Sequence, residues 1–178
     1  IRLIKPSNAP ITNDHVWGFW SDPILTAAQQ LARATWQKWA IITHNDCAVL
    51  SSETRPYNAF KRSDWSEHCK GLAESSKVTI VAEHEWEKSA DSLLFDTRPP
   101  VVPNDCMLQH FQGIEVKTKQ PCFDKDMAIL MDFRVDQSKG MHFIYLLPYS
   151  TTEALVESTL FSTELVDEEF YSSSIESY

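Results

Sequence analysis

The architecture of this chain can be inferred from two apolar segments, Phe143-Ile144-Tyr145-Leu146-Leu147-Pro148-Tyr149-Ser150 and, three residues later, Ala154-Leu155-Val156-Glu157-Ser158-Thr159-Leu160-Phe161. Both segments are rich in aromatic and aliphatic residues that favour strands, and the polar residues between them supply a turn. The sequence therefore predicts a hairpin of two largely buried antiparallel strands. Because side chains alternate along a strand, Glu157 shares one face with Leu155, Thr159 and Phe161.

The strand pattern extends on the N-terminal side of this hairpin. Strands are predicted over 109–117, 127–135, 141–147 and 154–162. The last three form a meander, because short polar turns join them and the first of these turns ends in Gly140. In the strand over 127–135, alternation places Leu130, Asp132 and Arg134 on one face. The opposite face carries Ile129, Met131, Phe133 and Val135.

The first half of the chain mixes helical and strand patterns. Strands are predicted over 1–4, 41–49, 57–61 and 78–82, a further buried strand over 93–96, and a helix over 64–75. The spacing of Ala28, Leu31, Thr35 and Trp39 favours a helix over 27–40, with tandem strands as the alternative. The second half of the chain, in contrast, is predicted to be all-β.

Length and charge limit the classes of function. The chain has 178 residues, of which 43% are hydrophobic and 23% are charged, as is ordinary for a domain with a proper core. Its net charge of −9 disfavours general binding to nucleic acid or anionic lipid, because both require a basic surface. No run approaches the roughly 18 apolar residues of a membrane-spanning helix.

The cysteines and the chain ends support two further expectations. Cys47, Cys69, Cys106 and Cys122 are widely spaced and form no C-x-x-C pair, so we expect reduced thiols in a cytoplasmic protein and no metal site. Residue 1 is not methionine, a strand pattern starts at once, and the helical pattern over 170–178 is not closed. We therefore expect the chain to be an internal part of a longer protein.

Glu157 is the residue that points most directly to chemistry. It lies between Val156 and Leu160 in an apolar strand, and loss of hydration disfavours the charged form of a carboxyl group, so its pKa should be raised. A carboxylic acid that keeps its proton near neutral pH can act as a general acid. The structural alternative is a glutamate on an edge strand that faces solvent.

Three other residues are candidates for both functional and structural roles. Asp132 and Arg134 carry opposite charges at positions i and i+2, so they can pair with each other or act on a substrate. His110 can serve as an acid or a base, although a single histidine beside Phe111 is often a satisfied structural residue. The residues alone leave these alternatives open.

Several blocks of sequence follow one another along the chain: Asn13-Asp14-His15-Val16-Trp17-Gly18-Phe19-Trp20, Phe95-Asp96-Thr97-Arg98-Pro99-Pro100, Leu108-Gln109-His110-Phe111-Gln112-Gly113, Phe123-Asp124, Leu130-Met131-Asp132-Phe133-Arg134, and Tyr145-Leu146-Leu147-Pro148 leading to Ala154-Leu155-Val156-Glu157-Ser158-Thr159. In this order they resemble the bacterial FAD-dependent lycopene cyclases, which close the ends of lycopene into rings. The resemblance covers nearly the whole chain. It is most specific in the second half and weakest over 21–57.

The resemblance implies a two-part fold of the α/β (α+β) class. A partial Rossmann-type FAD/NAD(P)-binding domain would span 1–103, with its second Rossmann strand at 1–4. An antiparallel β-sheet substrate domain would span 104–165. Residues 166–178 would start a further helix.

The resemblance also implies an activity. Members of the family convert the linear ends of lycopene to β-rings by acid catalysis without net redox change, and the position of Glu157 carries their essential acid. Reduced FAD would be the cofactor, NAD(P)H its reductant, and lycopene or a related linear carotenoid the substrate. The whole protein would be cytoplasmic and would contact the inner membrane peripherally.

Two departures from the family concern the cofactor. The Gly-x-Gly-x-x-Gly turn that binds the pyrophosphate is absent, and Lys5 stands where an acidic residue would bind the adenosine ribose. We therefore expect the longer protein, and not this chain alone, to bind FAD. The candidates for flavin contact are Arg62, which opens a predicted helix, and Arg98, which is also a candidate ion-pair partner of Asp96.

Two other functions fit the same sequence. One is a flavin-dependent isoprenoid reductase or hydroxylase of the same fold, which would consume NAD(P)H as it turned over. The other is a non-catalytic carotenoid-binding paralogue, which would hold a carotenoid without converting it.

Overall fold

The computed structural model describes residues 1–7, 14–87, 91–98, 101, 103 and 105–178. Within them the strands are β1 (Arg2–Lys5), β2 (Val16–Trp20), β3 (Ala34–Trp36), β4 (Lys38–Ile42), β5 (Cys47–Ser51), β6 (Tyr57–Lys61), β7 (Thr79–Ala82), β8 (Leu108–Lys117), β9 (Met127–Asp132), β10 (Met141–Pro148) and β11 (Glu153–Ser162). The α-helices are α1 (Thr26–Gln30), α2 (Arg62–Ser75) and α3 (Glu168–Ser177). Short 3-10 turns lie at Pro23–Leu25 and Glu83–Glu85.

The chain divides into two compact units. The first unit contains residues 1–17 and 60–101, and the second unit contains residues 18–59 and 102–178. The predicted division at residue 103 differs from this, because 18–59 lies with the second unit. Strand pairing is the reason: β4 runs parallel to β9, with Lys38 opposite Met127, and β5 pairs with β4.

The second unit is built on a six-stranded sheet in the order β5-β4-β9-β10-β11-β8. Strands β9, β10 and β11 are antiparallel neighbours, so the predicted meander is present. Strand β8 pairs antiparallel with β11 along its whole length, from Leu108 opposite Ser162 to Lys117 opposite Glu153. β11 therefore lies between two strands, and side chains on both of its faces are buried.

A β-bulge in β9 changes the faces that simple alternation predicts. The consecutive residues Ala40 and Ile41 of β4 pair with Ile129 and Met131, so β9 carries one extra residue at this point. The pairing of β9 with β10 shifts in the same region. Ile129 and Met131 therefore lie on opposite faces, and the prediction that they share one is wrong because a bulge interrupts the period of two.

Helix α3 covers one face of this sheet. Ile175 of α3 packs against Ile144 of β10 and Val156 of β11 in a buried cluster. Even-numbered side chains of β10 and β11 therefore face α3, and odd-numbered ones, including Glu157, lie on the opposite face. The two faces of β11 meet different surroundings.

The first unit contains a parallel strand pair and the longest helix of the described residues. β1 pairs with β7, with Leu3 opposite Ile80, and α2 precedes β7 in the chain. A parallel pair next to a helix is the arrangement expected of a partial Rossmann-type domain. In the described ranges no helix is both long and apolar enough to cross a membrane, and α2 itself has 14 residues.

The predicted helix over 27–40 is wrong beyond its first turn. α1 is short, and β3 and β4 follow it, which was the tandem-strand alternative. The Arg33 N–H donates to the Ala59 carbonyl at 2.8 Å, and β3 pairs with β6 with Thr35 opposite Asn58. Pairing with another strand, together with the β-branched and aromatic side chains of Thr35 and Trp36, outweighs the helical spacing.

The predicted buried strand over 93–96 is also wrong. Leu93 and Phe95 are 88% and 83% exposed, and among the described residues this segment has no strand partner. A short apolar run indicates burial only when another element packs on it. Within the described part of the chain, no helix or strand packs on this segment.

Candidate active site

Glu157 lies midway along β11, on the sheet face that α3 does not cover. Its neighbours across the strands are Tyr145 of β10 and Gly113 of β8. The hydroxyl of Thr159, two residues along the same face, donates to Glu157 Oε1 at 3.2 Å. Thr159 is fully buried and Glu157 is half-buried, so the carboxyl group is held in place with limited access to water.

Gly113 makes room for this carboxyl group. A Cβ atom at position 113 would lie 3.2 Å from Glu157 Cβ, from Glu157 Oε2 and from Leu155 Cδ1. These distances are shorter than ordinary van der Waals contacts, so the Glu157 side chain occupies space that another residue at 113 would need. Close approach of another group is a common reason for glycine inside a strand.

Aromatic side chains of the 18–59 segment form a cluster next to Glu157. Trp20 contacts Trp39 and Tyr57 with ring centroids 4.5 and 4.9 Å apart, and Trp36 stacks on Tyr57 at 6.2 Å. The buried indole N–H of Trp36 donates to the Pro148 carbonyl at 3.1 Å. This bond ties the cluster to the end of β10.

A second row of aromatic rings runs along the sheet on the Glu157 face. Phe143 is 1% exposed, and its ring centroid lies 5.2 Å from that of Tyr145, 5.5 Å from Phe133 and 6.3 Å from Phe161. Such rings present an apolar surface whose faces attract cations. The surface beside Glu157 therefore suits an apolar substrate that becomes positively charged.

Burial sets the protonation of the groups on this face. It raises the pKa of Glu157 to about 6, although the hydrogen bond from Thr159 acts in the opposite direction. Burial, reinforced by the nearby Glu157 charge, also raises the pKa values of Tyr57 and Tyr145 and brings that of Tyr149 to about 12. The three tyrosine hydroxyls stay neutral at pH 7, and Glu157 can carry a proton close to neutral pH.

Asp132 and Arg134 pair with each other on the α3 side of the sheet. Arg134 Nε and Nη2 donate to the two carboxylate oxygens of Asp132 at 2.9 and 2.7 Å, and the Tyr178 hydroxyl donates to Asp132 Oδ2 at 2.9 Å. Burial opposes ionisation of Asp132, but these hydrogen bonds hold its pKa below the usual value. Its strand partner Ile144 packs against α3, so the pair lies across the sheet from Glu157.

His110 lies on the same side as Asp132. Its Nδ1 bonds the hydroxyl of Tyr171 in α3, and its Nε2 lies 2.8 Å from Ser162 Oγ, which in turn donates to the Glu164 carbonyl. Because that carbonyl takes the Ser162 proton, Nε2 carries the ring hydrogen and Nδ1 accepts from Tyr171. The structure thus gives His110 a link between β8 and α3 and does not bring it to Glu157.

Arg62 and Arg98 lie in the first unit. Arg98 donates to Asp96 through Nε at 2.9 Å and Nη2 at 2.6 Å, and its Nη1 lies 3.8 Å from Glu83 Oε1. The ion pair between Arg98 and Asp96 is therefore present. Arg62 is the first residue of α2, and its backbone N–H donates to the His15 carbonyl at 2.9 Å.

The start of α2 shows whether this chain fits the phosphates of FAD. The Asp14 carboxylate accepts hydrogen bonds from the Ser63 hydroxyl at 2.7 Å and N–H at 3.0 Å, and these bonds lower its pKa. A helix N-terminus that already binds a carboxylate repels a second anion. With no Gly-rich turn in the sequence, the residues present do not fit the pyrophosphate. Among the described residues, no cluster of His, Cys, Asp or Glu is arranged to hold a metal ion.

Sequence pattern alone does not reveal the aromatic cluster of the 18–59 segment. The predicted FAD-binding domain includes Trp20, Trp36, Trp39 and Tyr57, whereas the structure places them with Glu157 in the second unit. The feature of the sequence that could have revealed this cluster is the high density of large aromatic residues in the 18–59 segment, whose strands show only weak alternation. That density indicates a packed surface but not which surface it covers.

Comparison with known proteins identifies relatives of this chain. A sequence profile described as lycopene cyclase protein matches residues 1–178. A curated lycopene beta-cyclase from Paracoccus sp. (strain N81106 / MBIC 01143) is 43% identical over 54 residues, which make up 30% of this chain and 14% of the relative. The match therefore covers a small part of that relative's length.

A solved structure shares the fold. The crystal structure of a geranylgeranyl bacteriochlorophyll reductase-like protein from Thermoplasma acidophilum is similar with a TM-score of 0.57, over 90% of this chain and 50% of that chain. The sequence identity is 11%, so the likeness concerns the fold alone. It confirms the predicted class, a mixed α/β chain with a partial Rossmann-like domain and a sheet domain. The sheet is mixed and not purely antiparallel, because β4 runs parallel to β9.

Proposed function

This chain belongs to the lycopene cyclase family, and from that premise we propose that the whole protein cyclises the linear ends of lycopene, or of a related linear carotenoid, to β-rings. Glu157 would be the proton donor, and the reaction would be redox-neutral. The observation that carries the proposal is the half-buried Glu157 carboxyl, with its pKa raised to about 6, set in an aromatic surface.

The first step is protonation of the terminal alkene. The Glu157 proton adds to one alkene carbon, the π electrons form the new C–H bond, and a tertiary carbocation remains. An alkene is a very weak base, so the acid must be poorly hydrated and the cation must be kept from water. Because Oε1 accepts the Thr159 hydrogen bond, Oε2 above Gly113 is the oxygen that carries the proton.

The second step is ring closure. The π electrons of an internal alkene form the ring C–C bond, and a proton leaves the ring carbon to create the ring double bond. The Glu157 carboxylate accepts that proton, which restores the acid. The rings of Tyr145 and Tyr57 would stabilise the cation through their negative faces, and their neutral hydroxyls add no competing charge.

The cofactor proposed for the whole protein is reduced FAD, with NAD(P)H as reductant. Family membership and the Rossmann-like part of the fold support this. When bound, reduced flavin supplies negative charge that stabilises a carbocation. The residues of this chain do not fit its pyrophosphate, so none of the steps above depends on it.

The proposed substrate also suggests where the whole protein works. Linear carotenes are apolar and reside in membranes, so we place the protein in the cytoplasm in peripheral contact with the inner membrane. The net charge of −9 disfavours a general attraction to anionic lipid, and the contact would be local and apolar.

Expression of the whole protein in cells that accumulate lycopene tests this function. A cyclic carotene of unchanged mass would support it, and lycopene left unchanged would contradict it. A flavin-dependent reductase or hydroxylase, the alternative suggested by the solved structure, would add hydrogen or oxygen to the product and consume NAD(P)H. A carotenoid-binding paralogue would co-purify with unconverted lycopene.

Gly113→Ala should lower turnover without unfolding the protein. The new methyl group displaces the flexible end of Glu157, and misplacing a catalytic group by up to an ångström lowers rates by roughly tenfold to a hundredfold. Ring product formed per mole of purified whole protein is the measurement, with a thermal melt in parallel. Gly71→Ala is the matched control, since a Cβ there meets no atom within 4 Å. Equal turnover in the two variants would contradict the role of Gly113.

Turnover should also fall as the pH rises through about 6. Protonated Glu157 is the active form, so above its pKa of about 6 the active fraction drops about tenfold per pH unit. Initial rates across this range are the measurement. Thr159→Val removes the hydrogen bond that lowers this pKa, so it should move the midpoint upward. A flat profile, or a midpoint that moves down in the variant, would argue against Glu157 as the acid.

A further inference from the structure

The Glu157 face of the sheet is open and apolar at one end and charged at the other. At one end Met141 lies opposite Phe161, and Met141 and Phe111 are 48% and 50% exposed. At the other end Glu115 lies opposite Leu155. An apolar chain would approach along the exposed Phe111 and Met141, so its terminal group would point toward Glu115.

Arg33, Glu115 and Tyr149, here called the end wall, close the charged end. The Arg33 guanidinium pairs with the Glu115 carboxylate and lies over the Tyr149 ring, with Cζ 3.8 Å from the ring centroid. The side chains of Arg33 and Glu115 are 31% and 40% exposed, so the pair meets solvent on its outer side. On its inner side it covers Tyr149, whose hydroxyl oxygen is buried.

Tyr149 lies next to this ion pair and within electrostatic reach of the acid. Burial, the Arg33 charge and the Glu115 and Glu157 charges all influence the pKa of its hydroxyl. Along β8, the position opposite Glu157 is Gly113, which has no side chain to shield the carboxyl. The next residues on that face are Glu115 of β8 and, opposite it, the buried Leu155 of β11, so the end wall and Leu155 together bound the Glu157 site in that direction.

We propose that the end wall keeps water from the carbocation formed at Glu157 and so determines that the product is a ring. The inference rests on the proposed cyclisation and assigns Arg33 a positioning role, since it acts through Tyr149 and Glu115 and does not touch the reacting atoms. Exclusion of water from reactive intermediates is a recognised function of a closed active site.

The same cation has a second outcome when water reaches it. A lone pair of the water oxygen forms a C–O bond to the tertiary carbon, and the bound water then loses a proton to the Glu157 carboxylate. The acid is restored, and the net change is addition of one water molecule to the terminal alkene. The product is a linear tertiary alcohol, and no oxidant or reductant is consumed.

Arg33→Ala in the whole protein, supplied with lycopene in ¹⁸O-labelled water, tests the proposal. The labelled tertiary alcohol should rise about tenfold relative to ring product, compared with the wild type. Glu115→Gln keeps the shape of its side chain and removes the ion pair, so it should shift the ratio in the same direction even if Arg33→Ala folds poorly. Arg55→Ala is the matched control, because Arg55 is 70% exposed and its contact with Asp22 is long, at 3.9 Å.

The outcomes separate this inference from the proposed function. Rings as the sole product of both variants, or a lower total conversion with an unchanged ratio, would overturn the inference and leave the cyclase function intact. An alcohol without the label would also overturn it, because its oxygen would not come from water. A wild type that converts no lycopene would overturn both.

Discussion

Glu157→Gln should abolish ring formation and at the same time make the protein more stable above pH 6. The amide keeps the size of the side chain but cannot donate a proton of suitable acidity, so conversion of lycopene should fall at least about a thousandfold. The measurement is the ratio of cyclic to linear carotenoid produced by the purified whole protein. The half-buried position beside Thr159 accommodates an amide, so the variant should fold.

The gain in stability follows from the direction of the Glu157 pKa shift. The folded protein retains this proton up to about pH 6, whereas the unfolded chain releases it near the ordinary value of 4.5. As the pH rises through this window, the folded state must carry a poorly hydrated carboxylate, so stability falls by about 1 to 2 kcal/mol. Glutamine carries no charge at any of these pH values, so the variant does not lose this stability. The two proteins should be equally stable near pH 4.5, and the variant more stable at pH 8.

Glu153→Gln is the matched control for this experiment. Glu153 lies on the same strand and the same face as Glu157, but its side chain is 40% exposed and pairs with Lys117 at 2.7 Å. Its substitution should leave ring formation unchanged. Ring formation that survives in Glu157→Gln would show that another group donates the proton.

Asp132→Ala should show the opposite pattern, a large loss of stability with ring formation per folded molecule retained. The substitution leaves the Tyr178 hydroxyl and the Arg134 N–H without their acceptor in a site that is 0% exposed at Asp132. Loss of such buried hydrogen bonds costs about 2 to 4 kcal/mol, since the exposed half of Arg134 can still be hydrated. Denaturant unfolding of the whole protein measures this loss.

The pH dependence and a neighbouring aspartate supply the controls for Asp132. Because its folded pKa lies below the ordinary value of 3.8, its contribution is present above that value and is lost as the pH falls through the folded pKa. The difference between wild type and Asp132→Ala should therefore become smaller in acid. Asp126→Ala, at a side chain that is 72% exposed, should change stability by less than about 0.5 kcal/mol. Lost turnover with normal stability in Asp132→Ala would instead indicate a catalytic role.

The two carboxyl groups show how far the sequence can discriminate between candidates. Both Glu157 and Asp132 sit in apolar strands of one sheet, and pattern alone makes each a candidate acid. Their surroundings differ. Burial beside aromatic side chains raises the pKa of Glu157, whereas hydrogen bonds from Arg134 and Tyr178 lower the pKa of Asp132. Arg134, just after β9, and Tyr178, at the end of α3, donate the hydrogen bonds that distinguish Asp132 from Glu157. The periodicity of a strand gives no information about such partners.

The same reasoning explains the errors in the first half of the chain. The strand over 38–42 pairs with β9, which lies far along the sequence, and the strand over 47–51 pairs in turn with the strand over 38–42. A window of a dozen residues contains no information about that partner, and helical spacing of a few apolar residues then favours the wrong element. In contrast, β9, β10 and β11 are apolar strands that pair in the order in which they occur in the chain, so their local pattern is sufficient.

Local pattern thus established the strands of the second half and the apolar setting of Glu157, because each depends on residues that are close in sequence. The resemblance to the lycopene cyclase family came from short blocks in the right order along the chain. The three-dimensional arrangement was needed to separate Asp132, Arg134 and His110, which face α3, from Glu157. It was also needed to place Tyr57, with the tryptophans around it, and Tyr149 within electrostatic reach of that acid. The physical reason is that a bulge and the pairing of distant strands set which face a side chain takes and what it meets there.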